Sequence, residues 1–165
     1  MAHDGLIDRW EAAWSGRDVA AFAGVCTPDV HYEDPLTSTP CYGPEELGEY
    51  ARRVWTALPD VRLQPTGERL GDDRFLAAPS KLVGTHLGEL DGLPPSNRAL
   101  VLHIVFYCEL ERSRERLWRI RAFFDVYGAA VELGLLPKPG TFGERALMVF
   151  RGYGLRGLRP KITGR

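Results

Sequence analysis

Residues 44–59 read Pro-Glu-Glu-Leu-Gly-Glu-Tyr-Ala-Arg-Arg-Val-Trp-Thr-Ala-Leu-Pro. This stretch separates two kinds of pattern. Leu47, Tyr50, Ala51, Val54, Trp55 and Leu58 recur at helical spacing and keep one face apolar for three turns. Pro44 suits a first helical position, Glu45 and Glu46 complement the positive end of a helix, and Pro59 stops it.

Working back from this helix, Leu6, Trp10, Ala13 and Trp14 form an earlier apolar stripe ended by Ser15-Gly16. Asp18 caps a short second helix with Phe22, Val25 and Cys26 inward. Val30 to Asp34 reads as a strand stopped by Pro35, and Thr37–Tyr42 as a loop. Working forward, the pattern changes to strands. Val61–Gln64 alternates, Gly71-Asp72-Asp73 turns, and Arg74–Thr85 is a strand in which Pro79 predicts an edge or a bulge. His86–Asn97 is a Gly- and Pro-rich connection. Arg98–Glu109 and Leu117–Asp125 are antiparallel strands joined by the charged turn Glu111–Arg116, and Val126–Leu135 is a short helix.

Helices first and then a strand meander predict an α+β fold, not repeated βαβ units. The N-terminal helices must pack on one face of a curved antiparallel or mixed β-sheet. A sheet bent around the long helix encloses a cone-shaped cavity for a small hydrophobic substrate. One domain is expected over residues 1–140. Residues 141–165 form a basic extension with partial helical spacing, carrying Arg145, Arg151, Arg156, Arg159, Lys161 and Arg165.

The chain has 165 residues, is 44% hydrophobic and carries a formal net charge of −1. That balance gives no electrostatic reason to expect nucleic acid or an anionic membrane as partner. No apolar run reaches the roughly 18 residues of a membrane helix. Met1–Gly5 lacks the basic-then-apolar order of a signal peptide, and Cys26, Cys41 and Cys108 form no CxxC pair. A cytoplasmic protein with free thiols is the expectation. His31, Glu33 and Asp34 are close in sequence, but strand neighbours point to opposite sides, so no metal site is expected.

The candidate chemistry starts at Asp125, which closes the apolar run Leu117–Phe124. A carboxylate in that place either caps the following helix or, if desolvated, can exchange a proton near neutral pH. On an ideal strand Asp125, Phe123, Arg121 and Arg119 share one face. Arg121 beside Asp125 would hold it ionised; a bulge would break that parity. His103 either shares the proton work or is a core histidine. His86, after Gly84-Thr85, either polarises a carbonyl at the cavity mouth or steadies the following loop. Asp34 either fixes the turn at Pro35 or lines the cavity. Trp14, Tyr32, Trp55, Phe106, Tyr107 and Phe123 are core residues unless a flat ligand stacks on them.

Several segments in register carry a resemblance to the SnoaL-like polyketide cyclase group, within the NTF2-like cone fold. They are Trp10–Asp18, Pro28–Pro35 ending in Asp-Pro, Tyr42–Asp60 ending in Leu-Pro-Asp, Gly84-Thr85-His86 with Gly92 and Pro95, Arg121–Asp125, and Leu133–Pro137. The resemblance spans about residues 5–137. It implies a cofactor-independent enzyme in which a strand-end aspartate, here Asp125, is the acid/base of a ring closure. With Asp125 in that role, His86 or His103 would polarise the substrate oxygen, and Trp14, Tyr32, Trp55, Tyr107, Arg121 and Phe123 are the candidate substrate contacts. The resemblance also implies a homodimer formed through the sheet. The departures are Ser80 where the family carries Trp, Pro95-Ser96-Asn97-Arg98 in place of Pro-Thr-Gly-Arg, and Arg119 in place of Glu. Epoxide hydrolysis on the same fold and a non-catalytic ligand-binding or assembly role stand as alternatives.

Overall fold

A computed structural model describes residues 4–113 and 115–150. The helices are α1 (Asp4–Gly16), α2 (Val19–Val25), α3 (Gly43–Ala57), α4 (Val126–Glu132) and α5 (Phe142–Phe150). The strands are β1 (Cys26–Glu33), β2 (Cys41–Tyr42), β3 (Arg62–Pro65), β4 (Leu70–Gly71), β5 (Phe75–Thr85), β6 (Ala99–Leu110) and β7 (Leu117–Phe124). They form a curved, unclosed sheet in the order β2-β1-β7-β6-β5-β3, with β4 on β5. Among the described residues only β1 and β7 run parallel, so the sheet is mixed. This is the α+β architecture that the pattern predicts. The expected extension contains α5, and its remainder, residues 151–165, lies outside the described residues. Among the described residues no helix is long and apolar enough to cross a membrane.

Local chemistry sets the element boundaries. Asp18 accepts the N–H of Ala20 at 2.9 Å and starts α2. Pro44 occupies the first turn of α3, and the Glu46 carboxylate accepts the N–H of Tyr42 at 2.8 Å. Pro79 sits inside β5, paired with Val105 on β6. It is tolerated because its carbonyl faces the other way, towards the N–H of Thr66 at 3.1 Å. The missing N–H would face that side too, in the gap between the β3 and β4 pairings, so no bond to β6 is lost. The connection His86–Asn97 holds a two-residue hairpin. Leu90 and Leu93 exchange backbone bonds at 3.0 and 2.9 Å around Asp91 (φ 47°) and Gly92 (φ 87°), the sequence pair such a turn favours.

The core lies between the concave face and the helices. Along β6, Leu100, Leu102, Ile104, Phe106 and Cys108 point inward and are buried. Val101, His103, Val105 and Tyr107 alternate outward. Trp10 and Phe22, both fully buried, join Trp14, Tyr32, Trp55 and Phe106 in an aromatic cluster with ring centroids 5.5 to 6.2 Å apart. Ser80 faces the same interior. Its hydroxyl donates to Glu11 of α1 at 2.5 Å, and Arg69 donates to the other Glu11 oxygen at 2.9 Å. A polar network therefore surrounds Ser80, one of the departures from the resembled pattern.

Candidate active site

Strand parity on β1 builds the site. Val30 and Tyr32 point inward, and one more period of two brings Asp34 to the same side as Pro35 ends the strand. The two carboxylate oxygens of Asp34 then do different things. Oδ1 closes the turn by accepting the N–H groups of Leu36 at 2.8 Å and Thr37 at 3.0 Å. Oδ2 accepts the hydroxyls of Tyr32 at 2.7 Å and Tyr50 at 2.5 Å. Tyr50 reaches it from the apolar face of α3, one turn before Val54. A carboxylate has about four acceptor positions, and these donors fill them.

Burial, reinforced by the charge of Asp34, pushes the Tyr32 and Tyr50 hydroxyls well above the ordinary tyrosine range, so both remain protonated donors. Cys41 pairs with Tyr32 across β2. Burial, then Asp34 and Glu46, pushes its thiol up as well. Arg53 lies 5.5 Å from the centre of the Tyr50 ring and 3.7 Å from Asp91 at the tip of the Leu90–Leu93 hairpin.

This cluster forms the polar end of a cavity of about 170 Å³ inside the cone. Its walls include Trp14, Leu58, Leu63, Leu82, Leu102 and Phe106. Leu36, Leu93, Val126 and Leu135 line it while remaining solvent-exposed, so they mark its mouth. A wider groove of about 770 Å³ lies elsewhere, along Thr27–Asp29, Asp73-Arg74 and Glu109–Arg112. Charged side chains line that groove, and its groups bond to one another, as Arg74 does to Glu109 at 2.9 Å and the Trp118 indole to Asp29 at 3.2 Å. The smaller cavity is the better candidate because apolar walls around a few convergent polar atoms are what orient a small ligand.

The structure brings some of the sequence candidates to this cavity and separates others from it. Trp14 and Tyr32 line it. Trp55 stands behind Trp14, donating its indole N–H to the Trp14 carbonyl at 3.1 Å. Asp125 is exposed at the N-cap of α4 and accepts the Gly128 N–H at 2.9 Å; its neighbours Phe124 and Val126 reach the cavity instead. His86 is buried, but its Nδ1 accepts the Ser96 N–H at 3.1 Å, which steadies the connection, and it is not among the lining residues. His103, Tyr107, Arg121 and Phe123 are displaced by parity to the outer face of the sheet. Arg121 there pairs with Glu33 of β1, not with Asp125. Sequence reasoning missed the role of Tyr50. The signal for the cluster was the Val30, Tyr32, Asp34 alternation facing a tyrosine on the apolar stripe of α3. Among the described residues no group of His, Cys, Asp and Glu is placed to hold a metal ion.

The family model of SnoaL-like polyketide cyclases matches residues 5–133. Solved structures share the fold at low identity. TsrD from Streptomyces laurentii is 19% identical, with 80% of this chain and 94% of that one covered and a TM-score of 0.70. A hypothetical protein with a ketosteroid isomerase-like fold from Catenulispora acidiphila, in complex with trimethylamine, is 14% identical, with 79% and 93% covered and a TM-score of 0.66. An NTF2-like protein of unknown function from Burkholderia pseudomallei is 18% identical, with 78% and 95% covered and a TM-score of 0.65. None of the curated proteins compared matches the chain.

Proposed function

Because the chain belongs to the SnoaL-like polyketide cyclase family, we propose that it is a cofactor-independent acid/base enzyme acting on a small apolar carbonyl compound. The observation that carries this reading is a carboxylate bonded to two tyrosine hydroxyls at the polar end of an otherwise apolar cavity. We place the acid/base at Asp34, because the Asp125 carboxylate is committed to a helix cap in solvent.

At rest the base is blocked, since Oδ2 carries two hydroxyl donors. A substrate carbonyl entering the cavity exchanges partners with Tyr50: the hydroxyl turns from Asp34 to the carbonyl oxygen, and one lone pair of Oδ2 is freed. Asp34 then takes a proton from the carbon next to the carbonyl. The C–H electron pair becomes the enolate double bond, and the carbonyl π electrons move to the oxygen held by Tyr50. In an isomerisation Asp34 returns the proton to another carbon. In a ring closure the enolate carbon attacks a second carbonyl, and the new alkoxide takes the proton from Asp34. Both routes balance without a redox partner.

Epoxide hydrolysis needs a second carboxylate around a water, usually with an arginine. The described lining contains Asp34 alone as a carboxylate and no arginine, so this alternative is less favoured. The exposed Val101, Val105, Tyr107 and Phe123 on the outer sheet face supply apolar surface for the homodimer that the family resemblance implies. The test of the acid/base assignment is deuterium exchange next to the carbonyl of a bound ketone. Asp34→Asn should lower the rate by the roughly 10²–10⁴-fold a general base contributes, and Asp125→Asn by less than about tenfold. The reverse order would transfer the role to Asp125; no loss in either variant would exclude both aspartates as the base, and no exchange above background in the unaltered protein would favour a non-catalytic binding protein.

A further inference from the structure

The cavity also limits what the site accepts. We infer that its ligand is a single-ring or short branched aliphatic compound with one oxygen function at one end, not a flat polycycle; of the two routes above this leaves the isomerisation, because a ring closure needs a second carbonyl. This rests on the acid/base reading only for the nature of the oxygen function; size and polarity follow from the walls.

Volume comes first. About 170 Å³ is available, and an apolar cavity of about 150 Å³ holds benzene. The room therefore suits one ring with small substituents. The walls cannot simply part for more. Leu102 and Phe106 belong to the central strand β6, paired on both sides. Leu58 follows the last turn of α3 and is buried. A tightly packed interior resists extra methylenes. Shape comes second. A flat polycycle needs a slot between aromatic faces, but Trp14, Tyr32 and Tyr50 already touch one another, with ring centroids 5.6 to 6.4 Å apart. The rest of the wall is mainly branched aliphatic, suited to a compact alicyclic body. Polarity comes third. The lining offers the Asp34, Tyr32 and Tyr50 oxygens at one end, and the Trp14 indole N–H, which has no partner among the described residues, belongs to that same end, since its ring lies 6.2 and 6.4 Å from those of Tyr32 and Tyr50. A second carbonyl or hydroxyl at the far end would lose its water and gain no bond.

The mouth sharpens the limit. The Leu90–Leu93 hairpin presents two leucines to the cavity, and its tip lies beside α3, with Asp91 3.7 Å from Arg53. Leu93 is 36% exposed, so it can be shortened without emptying the core.

The test uses a series of ketones with one carbonyl each: cyclohexanone, α-tetralone and anthrone, having one, two and three fused rings. Binding is followed by chemical-shift titration of the leucine methyl groups. Added apolar area alone would favour anthrone. The inference expects the opposite, anthrone binding about tenfold or more weakly than cyclohexanone because it overfills the cavity. Cyclohexane-1,4-dione should bind about tenfold or more weakly than cyclohexanone because its second carbonyl is unpaired. In Leu93→Ala, and separately in Leu102→Ala, α-tetralone should gain on cyclohexanone. The inference fails if anthrone or the dione binds as well as cyclohexanone to the unaltered protein, if none of the ketones binds, or if neither variant shifts the preference. Deuterium exchange of bound cyclohexanone, compared with Asp34→Asn, separates the two claims. Binding without Asp34-dependent exchange removes the acid/base reading and leaves the size limit intact. Asp34-dependent exchange with anthrone preferred does the reverse.

Discussion

If Tyr50 and Asp34 form one functional unit, their substitutions must be coupled. Tyr50→Phe removes a hydroxyl that lies 2.5 Å from Asp34 Oδ2 and leaves the ring in place. The side chain is 6% exposed, so water has little access to replace the donor. A hydrogen bond to a charged group contributes about 1.5–3 kcal/mol. Asp34 is only half-buried, which places the expected loss near the lower end, about 1.5–2 kcal/mol. In the Asp34→Asn background the same hydroxyl meets a neutral amide, where a bond contributes about 0.5–1.5 kcal/mol. The double-mutant cycle should therefore show a coupling of about 1 kcal/mol, beyond the few tenths expected of independent sites. Urea denaturation of the four proteins measures it, since with a slope of about 1–3 kcal/mol per molar a loss near 2 kcal/mol moves the midpoint by roughly 1 M. Deuterium exchange of a bound ketone should also slow by about 10²–10³-fold in Tyr50→Phe if that hydroxyl holds the developing enolate oxygen. Additive stabilities together with unchanged exchange would refute the shared role.

Other consequences can be measured on the same protein. Asp125→Ala removes the N-cap of α4, so it should cost about 0.5–2 kcal/mol in urea denaturation; its exchange activity should nevertheless exceed that of Asp34→Asn. Ser80→Ala leaves a Glu11 oxygen without its 2.5 Å donor in a site where both residues are buried, and should lower stability by about 1–3 kcal/mol. Tyr32 and Tyr50 resist ionisation when folded, whereas unfolded tyrosines ionise near pH 10. Their contribution is full below about pH 10 and is lost above it, as the unfolded chain releases protons that the folded one keeps. Unfolding free energies from urea titrations should lose none of this contribution from about pH 8 to 10 and should fall above about pH 10 by up to about 1.4 kcal/mol per pH unit per tyrosine, less steeply in Tyr50→Phe.

Periodicity made the long elements legible. The apolar stripe from Leu47 to Leu58 and its two prolines delimit α3 to within a residue or two. The alternation of β6 separates Leu102, Ile104 and Phe106 from Val101, His103 and Val105, but both sets are apolar enough to face a core. Alternation says which residues share a face, not which face the helices cover. That choice is made by packing distant in sequence, where Tyr32 pairs with Ile120 across the parallel β1–β7 contact and brings the aromatic cluster to the inner side. His103, Tyr107, Arg121 and Phe123 fall outside as a consequence. Tyr50 was hidden for a related reason: on an apolar helical stripe a tyrosine counts as bulk, and its hydroxyl matters only once another element brings an acceptor to it.

Asp34 and Asp125 show why a residue type at a strand end does not settle its chemistry. Each aspartate follows an aromatic-bearing strand that ends one residue earlier, at Glu33 and at Phe124. What comes next differs. After Asp34, Pro35 donates no N–H and forces a turn, so the backbone donors come from Leu36 and Thr37 and occupy one oxygen. The other oxygen stays directed inward, where the Tyr32 and Tyr50 hydroxyls meet it. After Asp125 the chain enters a helix at once, and the unpaired N–H groups of the first turn draw the carboxylate outward. The cap stabilises α4, whose Val126, Ala129 and Ala130 close one side of the cavity. One aspartate thus supports the wall and the other lines the cavity. The difference lies in the following backbone donors, which is why removing the cap in Asp125→Ala should leave the hydrogen bonds of Asp34 in place, whereas replacing Pro35 should not.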